Sequence, residues 1–243
     1  MPAADVDGYA LLKTAHVMLL VFWLGTDIGV FLGSFRLKDP RLSPEARLEI
    51  GRLASLLDMG PRTGVILSIP TGLSLAYFGG WGGRVLDPVA PVVLLLVTGI
   101  CLVWLTLVWR YFALQQAAAR GRELSVSGQR FMRWWRRVDV WWRGILALAI
   151  AAATVAAVLG QGLFAVAWLD WKVAAFGFVL VCGIAIRLAA DDFPIALGEI
   201  VRRGSTPERE RRLASALNRA YPWVLAIYVT LIVISYLGIA KPT

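Results

Sequence analysis

Charge is scarce in this sequence. Only 17% of the 243 residues are Asp, Glu, Lys or Arg, against about 25% in an ordinary soluble domain. Histidine occurs once, as His16, and there are two cysteines and four methionines. Each shortage excludes something. One chain cannot supply bis-histidine haem ligation. Closed zinc sites and histidine-based triads are poorly supported, because no GxxxxGK[ST], HExxH, CxxC or GxSxG occurs. Copper transport wants several Met, Cys or His ligands together, and these are widely spread. Cys101 and Cys182 both fall inside apolar runs, where a thiol serves as a small buried hydrophobe rather than half of a disulfide or a metal pair. The opening MPAADVDGYA is acidic and lacks the basic region of a secretory signal, so the first hydrophobic segment is expected to be retained as a helix.

What is present is apolar. Hydrophobic residues make up 58% of the chain, with eleven tryptophans and a mean hydropathy of +0.68. A bilayer span needs about 20 apolar residues, and six stretches qualify: 9–35, 62–79, 91–113, 144–168, 172–190 and 221–240. The expected fold class is all-α, a polytopic membrane helical bundle of about six transmembrane helices in a single domain covering 1–243. The pI near 10.1 invites a nucleic-acid reading, but the position of the charge argues for topology. Of the 25 Lys and Arg, six lie in 36–62, eight in 110–143 and seven in 187–219, leaving Lys13, Arg84, Lys172 and Lys241 elsewhere. The three basic regions are alternate loops, so the positive-inside rule puts them in the cytoplasm of a bacterial-type inner membrane, with both termini outside.

The outer loops GGWGGRVLDPVAP and WLDWK are short. The inner loops are longer and amphipathic. PEARLEIGRLASLLDMG spaces Leu48, Leu53, Leu56 and Leu57 helically, as in a helix lying on the membrane surface. FMRWWRRVDVWWRG places Phe131, Trp134, Trp135, Val138, Trp141 and Trp142 on one stripe and Arg130, Arg133, Arg136, Arg137 and Arg143 off it. That division predicts an interfacial helix, with indoles at headgroup level and guanidiniums on lipid phosphate; the alternative is a docking site for an anionic cofactor or partner. Pro70, within LSIPTGLSL, removes a backbone donor and predicts a kink.

The first span, LLKTAHVMLLVFWLGTDIGVFLGSFRL, is unusual in keeping three ionisable groups. Lys13, His16, Leu20, Trp23 and Asp27 follow steps of three and four and share one helical face. Gly25, Gly29 and Gly33 form a second stripe suited to close helix approach. A charge near the bilayer centre costs about 2.5–3.5 kcal/mol on insertion scales, so such residues usually face the protein interior and have a use. Lys13 can snorkel outward, and Asp27 can pair with an arginine or a backbone group. Imidazole can ligate haem iron or shuttle protons, which makes His16 the candidate ligand and the candidate metal residue. Lys172, at the outer start of the fifth span, either snorkels or joins Lys13 and His16 in a cationic cluster that receives porphyrin carboxylates or polarises a quinone. Asp170 could neutralise one of these cations.

KTAHVMLLVFWLG, with Lys three before His and Trp seven after it, resembles the first helix of HemJ-type protoporphyrinogen oxidases and the wider CopD-like membrane superfamily. WLDWK resembles the opening of that family's third helix, and LNRAYPWVLAIYVTLIVISYLGIAKP its last. The resemblance implies a four-span core matching the first, second, fifth and sixth spans, with the third and fourth as an inserted hairpin. It implies haem b and a redox role, His16 as haem ligand or essential histidine, and Lys172 as essential lysine. Lys13 and Trp23 complete the cofactor-facing surface, and Asp27 is a further candidate catalytic group. Expected partners are the lipid bilayer, a porphyrin or quinone, and a second copy or a larger membrane complex, but no nucleic acid. Two other classes stand beside this one: a non-enzymatic accessory subunit of a respiratory or photosynthetic type of complex, and a transporter using Asp27.

Overall fold

The structure is a computed structural model that describes residues 7–83 and 87–242; the acidic first residues and Arg84 lie outside them. The described residues contain helices and no strand. The helices are α1 (Gly8–Leu37), α2 (Pro44–Leu57), α3 (Met59–Phe78), α4 (Ala90–Ala119), α5 (Val126–Val158), α6 (Ala167–Ala189), α7 (Phe193–Arg203) and α8 (Pro207–Ala240), with a 3₁₀ turn at Asp87–Val89 before α4. Their starts are chemically marked. Asp7, Ser43, Ser125 and Thr206 each accept a backbone N–H from the first turn they precede, and Pro44 and Pro207 open their helices, where the missing proline N–H is not needed.

Five helical segments are long and apolar enough to cross a membrane: Gly8–Leu37, Asp87–Ala119, Val126–Val158, Ala167–Arg203 and Pro207–Ala240. The chain is therefore a multi-pass membrane protein and an all-α bundle, as its composition requires. Helix α3, the expected second span, is not among them, because Arg62, Pro70 and several Gly, Ser and Thr dilute its apolar content. It nonetheless runs antiparallel along α1: Gly60 lies against Thr26, Gly64 against Trp23, and Thr71 against His16. Trp81, just beyond its end, stacks edge-on to Trp168 of α6 and lies under the Lys241 ammonium. One end of the bundle is thus marked by His16, Trp81, Trp168 and Lys241, and the other by the arginine-rich connections.

Around the bundle α1, α3, α4, α5, α6 and α8 each pack on the next. Trp23, Ile66, Trp104, Trp135, Leu180, Cys182 and Ile227, drawn from all six, fill the centre. Both cysteines are buried and free. The hairpin α4–α5 bridges the α1–α3 and α6–α8 pairs rather than sitting outside them.

One expectation is overturned. FMRWWRRVDVWWRG does not form a separate surface helix; it is the first half of α5, continuous through Val158. Trp135 and Asp139 are fully buried, and only Trp134 and Trp141, with the neighbouring arginines, are exposed. The buried face runs through Phe131, Trp135, Asp139 and Trp142 because α4 and α6 supply partners for it. The span read as 144–168 accordingly ends at Val158, and a turn at Gly160 leads to α6.

At the arginine-rich end, α2 is the amphipathic surface helix its leucines predict, with Leu53 and Leu56 exposed. Gly29 and Gly33 of α1 admit Leu57, Ile50 and Ala54 of α2, whereas among the described residues nothing lies within 4 Å of a Cβ added at Gly25. Arg47 is fixed in the middle. It is 1% exposed, donates through Nη1 and Nη2 to both Glu210 oxygens (2.6 and 2.8 Å), and through Nε and Nη2 to the Leu37 carbonyl (2.8 and 2.6 Å). One guanidinium therefore closes the C-terminus of α1 and ties α2 to the first turn of α8. Breaking a buried pair by removing one partner costs about 3–5 kcal/mol. Arg47→Ala should lower the thermal midpoint sharply in detergent, whereas the exposed Arg130→Ala should leave it nearly unchanged, as circular dichroism melts would show.

Candidate functional site

The polar stripe of α1 divides into two places. His16 and Asp27 are eleven residues apart, about 16 Å along the axis, and different helices meet them. Lys13 is exposed and forms no ion pair among the described residues. Trp23 is 4% exposed and packs on Gly64 of α3 as part of the central core, two turns away from His16. The shared helical face is therefore real, but it does not make one site.

His16 is half-buried against α3. Its Nδ1 lies 2.7 Å from the Thr71 hydroxyl oxygen. That hydroxyl donates its single hydrogen to the Leu67 carbonyl at 2.7 Å, so it can only accept from the imidazole. Both short contacts are hydrogen bonds when Nδ1 carries the hydrogen, and in that tautomer Nε2 keeps its lone pair with no protein partner among the described residues. Thr71 directly follows Pro70, whose missing N–H interrupts the helix ladder at this level. Gly72, on the next residue, brings the α3 backbone close to the ring: an added Cβ would lie 3.4 Å from His16 Cε1.

Lys172 is the charged neighbour whose field reaches His16, and Lys241 the one that reaches Lys172. The Lys172 ammonium lies over Gly238 of α8, 2.8 Å from where a Cβ would stand. Lys241 has turned onto the Trp81 ring, 4.3 Å from its centroid. Asp170 does not neutralise these cations; its carboxylate faces the Leu163 and Phe164 amides of the turn before α6. The side-chain contacts joining α8 to α1 lie at the far end, where Tyr221 packs on Phe31 and Phe35, Ser34 and Tyr221 share a hydrogen bond of 3.0 Å, and Lys38 donates to Asn218 at 2.9 Å.

An oriented imidazole with a bare Nε2 is the donor a haem iron takes, its other nitrogen held by a second residue. The ligating atom and the nearby cations suit a porphyrin with carboxylates. The two best-formed cavities among the described residues are about 20 and 60 Å³, against about 300–1,000 Å³ for a small-molecule pocket. The larger, between Thr154, Ala157, Asp170 and Trp171, is not lined by His16.

The second place surrounds Asp27. Tyr228 of α8 and Asp58, at the start of α3, face its carboxylate, and Arg62 is engaged by Asp58 at 2.6 Å. Further across the bundle, Asp139 accepts from Arg143 Nε (3.2 Å to each oxygen), Arg187 Nη1 (2.8 Å) and Trp104 Nε1 (3.3 Å). Sequence reasoning passed over Thr71, Tyr228, Asp139 and Arg187. The one available signal was a lone aspartate within an arginine-rich amphipathic stretch. No family model, curated protein or solved structure matches the chain.

Because histidine occurs once, a ¹⁵N-histidine label gives one imidazole signal. The geometry predicts the Nδ1–H tautomer in the wild type. Thr71→Val, which keeps shape and removes the hydroxyl, should shift the population toward Nε2–H. A wild-type signal already in the Nε2–H form would contradict the assignment.

Proposed function

We propose that this protein binds haem or a related porphyrin in the membrane, with a redox role, through His16. The observation that carries this reading is the Thr71 hydroxyl, which spends its hydrogen on Leu67 and so leaves His16 Nε2 free to ligate. Lys172 and, from its exposed position, Lys13 are the cations suited to porphyrin carboxylates. Haem, when bound, would supply one-electron chemistry, with a membrane quinone as the electron partner. His16 holds the group, Thr71 orients the imidazole, and Gly238 leaves room for the Lys172 ammonium. The motif resemblance to HemJ-type and CopD-like proteins points the same way. The small cavities within one chain favour a ring enclosed partly by lipid or by a second copy.

The sorting of basic residues to one end of the bundle supports an inner-membrane location with that end cytoplasmic. With α3 as a sixth crossing, both termini face outward. A second reading is a non-enzymatic accessory subunit of a larger membrane complex. It is favoured by the small size of the two best-formed cavities and by the exposed apolar face of α4 at Val92, Leu95 and Leu96.

The test is an oxidised-minus-reduced visible spectrum of the gently solubilised protein beside His16→Ala. A Soret band in the wild type that is lost or shifted in the variant is expected. Lys172→Ala should weaken retention of the chromophore during washing without removing the band. A folded, colourless wild type that copurifies with other membrane subunits would overturn the haem reading in favour of the accessory one.

A further inference from the structure

The acids inside or at the edge of this bundle have partners, with one exception. Asp58 holds Arg62, Asp139 holds Arg143 and Arg187, Glu210 holds Arg47, and Asp170 faces two backbone amides. Asp27 has no lysine, arginine or backbone N–H partner among the described residues. Tyr228 of α8 packs its ring on Phe31, one turn beyond Asp27 on α1, with centroids 6.0 Å apart, and its hydroxyl and the Asp58 carboxylate at the start of α3 are the groups that face Asp27. The Tyr228 hydroxyl is itself buried and completes no hydrogen bond of normal geometry. A carboxylate in the membrane interior without a cation is costly as an anion, and a buried hydroxyl without a partner is costly as well. One added proton removes the charge, and the neutral carboxyl can still exchange a hydrogen bond with the phenol.

We propose that Asp27 and Tyr228 form an internal proton-binding site, reached from the arginine-rich end. The route is marked by a cavity of about 20 Å³ lined by Ser55, Asp58, Arg62, Tyr111 and Gln115. That is enough for one water, which needs about 10–15 Å³ and several polar partners. Asp58 lines this cavity and also faces Asp27, so it stands between solvent and the site. Uptake transfers one proton from water to a carboxylate oxygen of Asp27, removes one negative charge and moves no electrons. A metal cation is the poorer occupant, because one carboxylate and one phenol fall far short of the six or more oxygens a hard cation takes. The site does not depend on the haem reading: it lies in the other half of α1 and involves none of the residues around His16.

The experiment is infrared difference spectroscopy of the full chain in lipid nanodiscs, titrated across the range in which carboxylates and histidine ionise. The wild type should show a protonated-carboxyl band that grows as the pH falls. The isosteric Asp27→Asn should lose that band, and Tyr228→Phe should keep it at a shifted frequency. A wild-type minus Asp27→Asn spectrum with no protonated-carboxyl band at any pH would overturn the proposal. So would a band unchanged in frequency and midpoint in Tyr228→Phe. His16→Ala should leave the band in place, which separates this test from the chromophore measurement.

Discussion

A carboxylate withdrawn from water stays charged only where the protein replaces its hydration, and Asp139 is where this constraint shapes the fold most. It is 2% exposed and takes hydrogen bonds from an indole of α4, a guanidinium of α5 and a guanidinium of α6. Helices α4 and α5 meet sparsely otherwise, so their shared hold on Asp139 fixes how they approach. Arg143, largely buried, depends on it in turn, whereas Arg187 is a third exposed and also donates to the Arg136 carbonyl. Trp104 turns its ring to Arg143, whose guanidinium carbon lies 5.4 Å from the ring centroid. Helix α5 cannot lie flat on a membrane and satisfy these bonds, so the arginine-rich segment is drawn into the bundle as the first half of a spanning helix.

The same constraint separates the two halves of α1. Near His16 the charged neighbour is the cation Lys172, with Lys241 beyond it, and the imidazole is held by the Thr71 hydroxyl. Near Asp27 they are acidic and phenolic. A ligand carrying negative charge suits the first place, and a proton suits the second. Arg47 ties the C-terminus of α1 to α2 and α8, while the small-residue contacts of Gly60 and Gly64 bring α3 against the Asp27 half of α1.

The all-α bundle and five of the six apolar segments were legible because lipid imposes local rules, length and apolarity. The surface helix at Pro44–Leu57 was legible for the same reason, from its leucine spacing. The segment 131–143 was misread because its periodicity shows that a stripe exists but not which flank is covered. Trp135 is buried and Trp134 exposed through the positions of α4 and α6, which are remote in sequence. At the candidate site, the shared face of Lys13, His16, Trp23 and Asp27 was correctly periodic. Its division into two environments depends on Thr71 and Tyr228, which no local pattern pairs with α1. Arg47 looked like one more loop arginine, since its partners lie ten residues before it and in the last helix.

Both proposals require a bundle whose arginine-rich and His16 ends lie on opposite faces of the membrane, with α3 crossing between them. Single cysteines placed at Arg41, Pro88, Glu123 and Gln161 test this most directly, since native Cys101 and Cys182 are buried. Labelling intact cells stripped of their outer layers with a membrane-impermeant maleimide should mark Pro88→Cys and Gln161→Cys, whereas Arg41→Cys and Glu123→Cys should react only after permeabilisation. Labelling of Arg41→Cys and Pro88→Cys from the same side would mean that α3 does not cross, and would contradict the arrangement on which both sites depend.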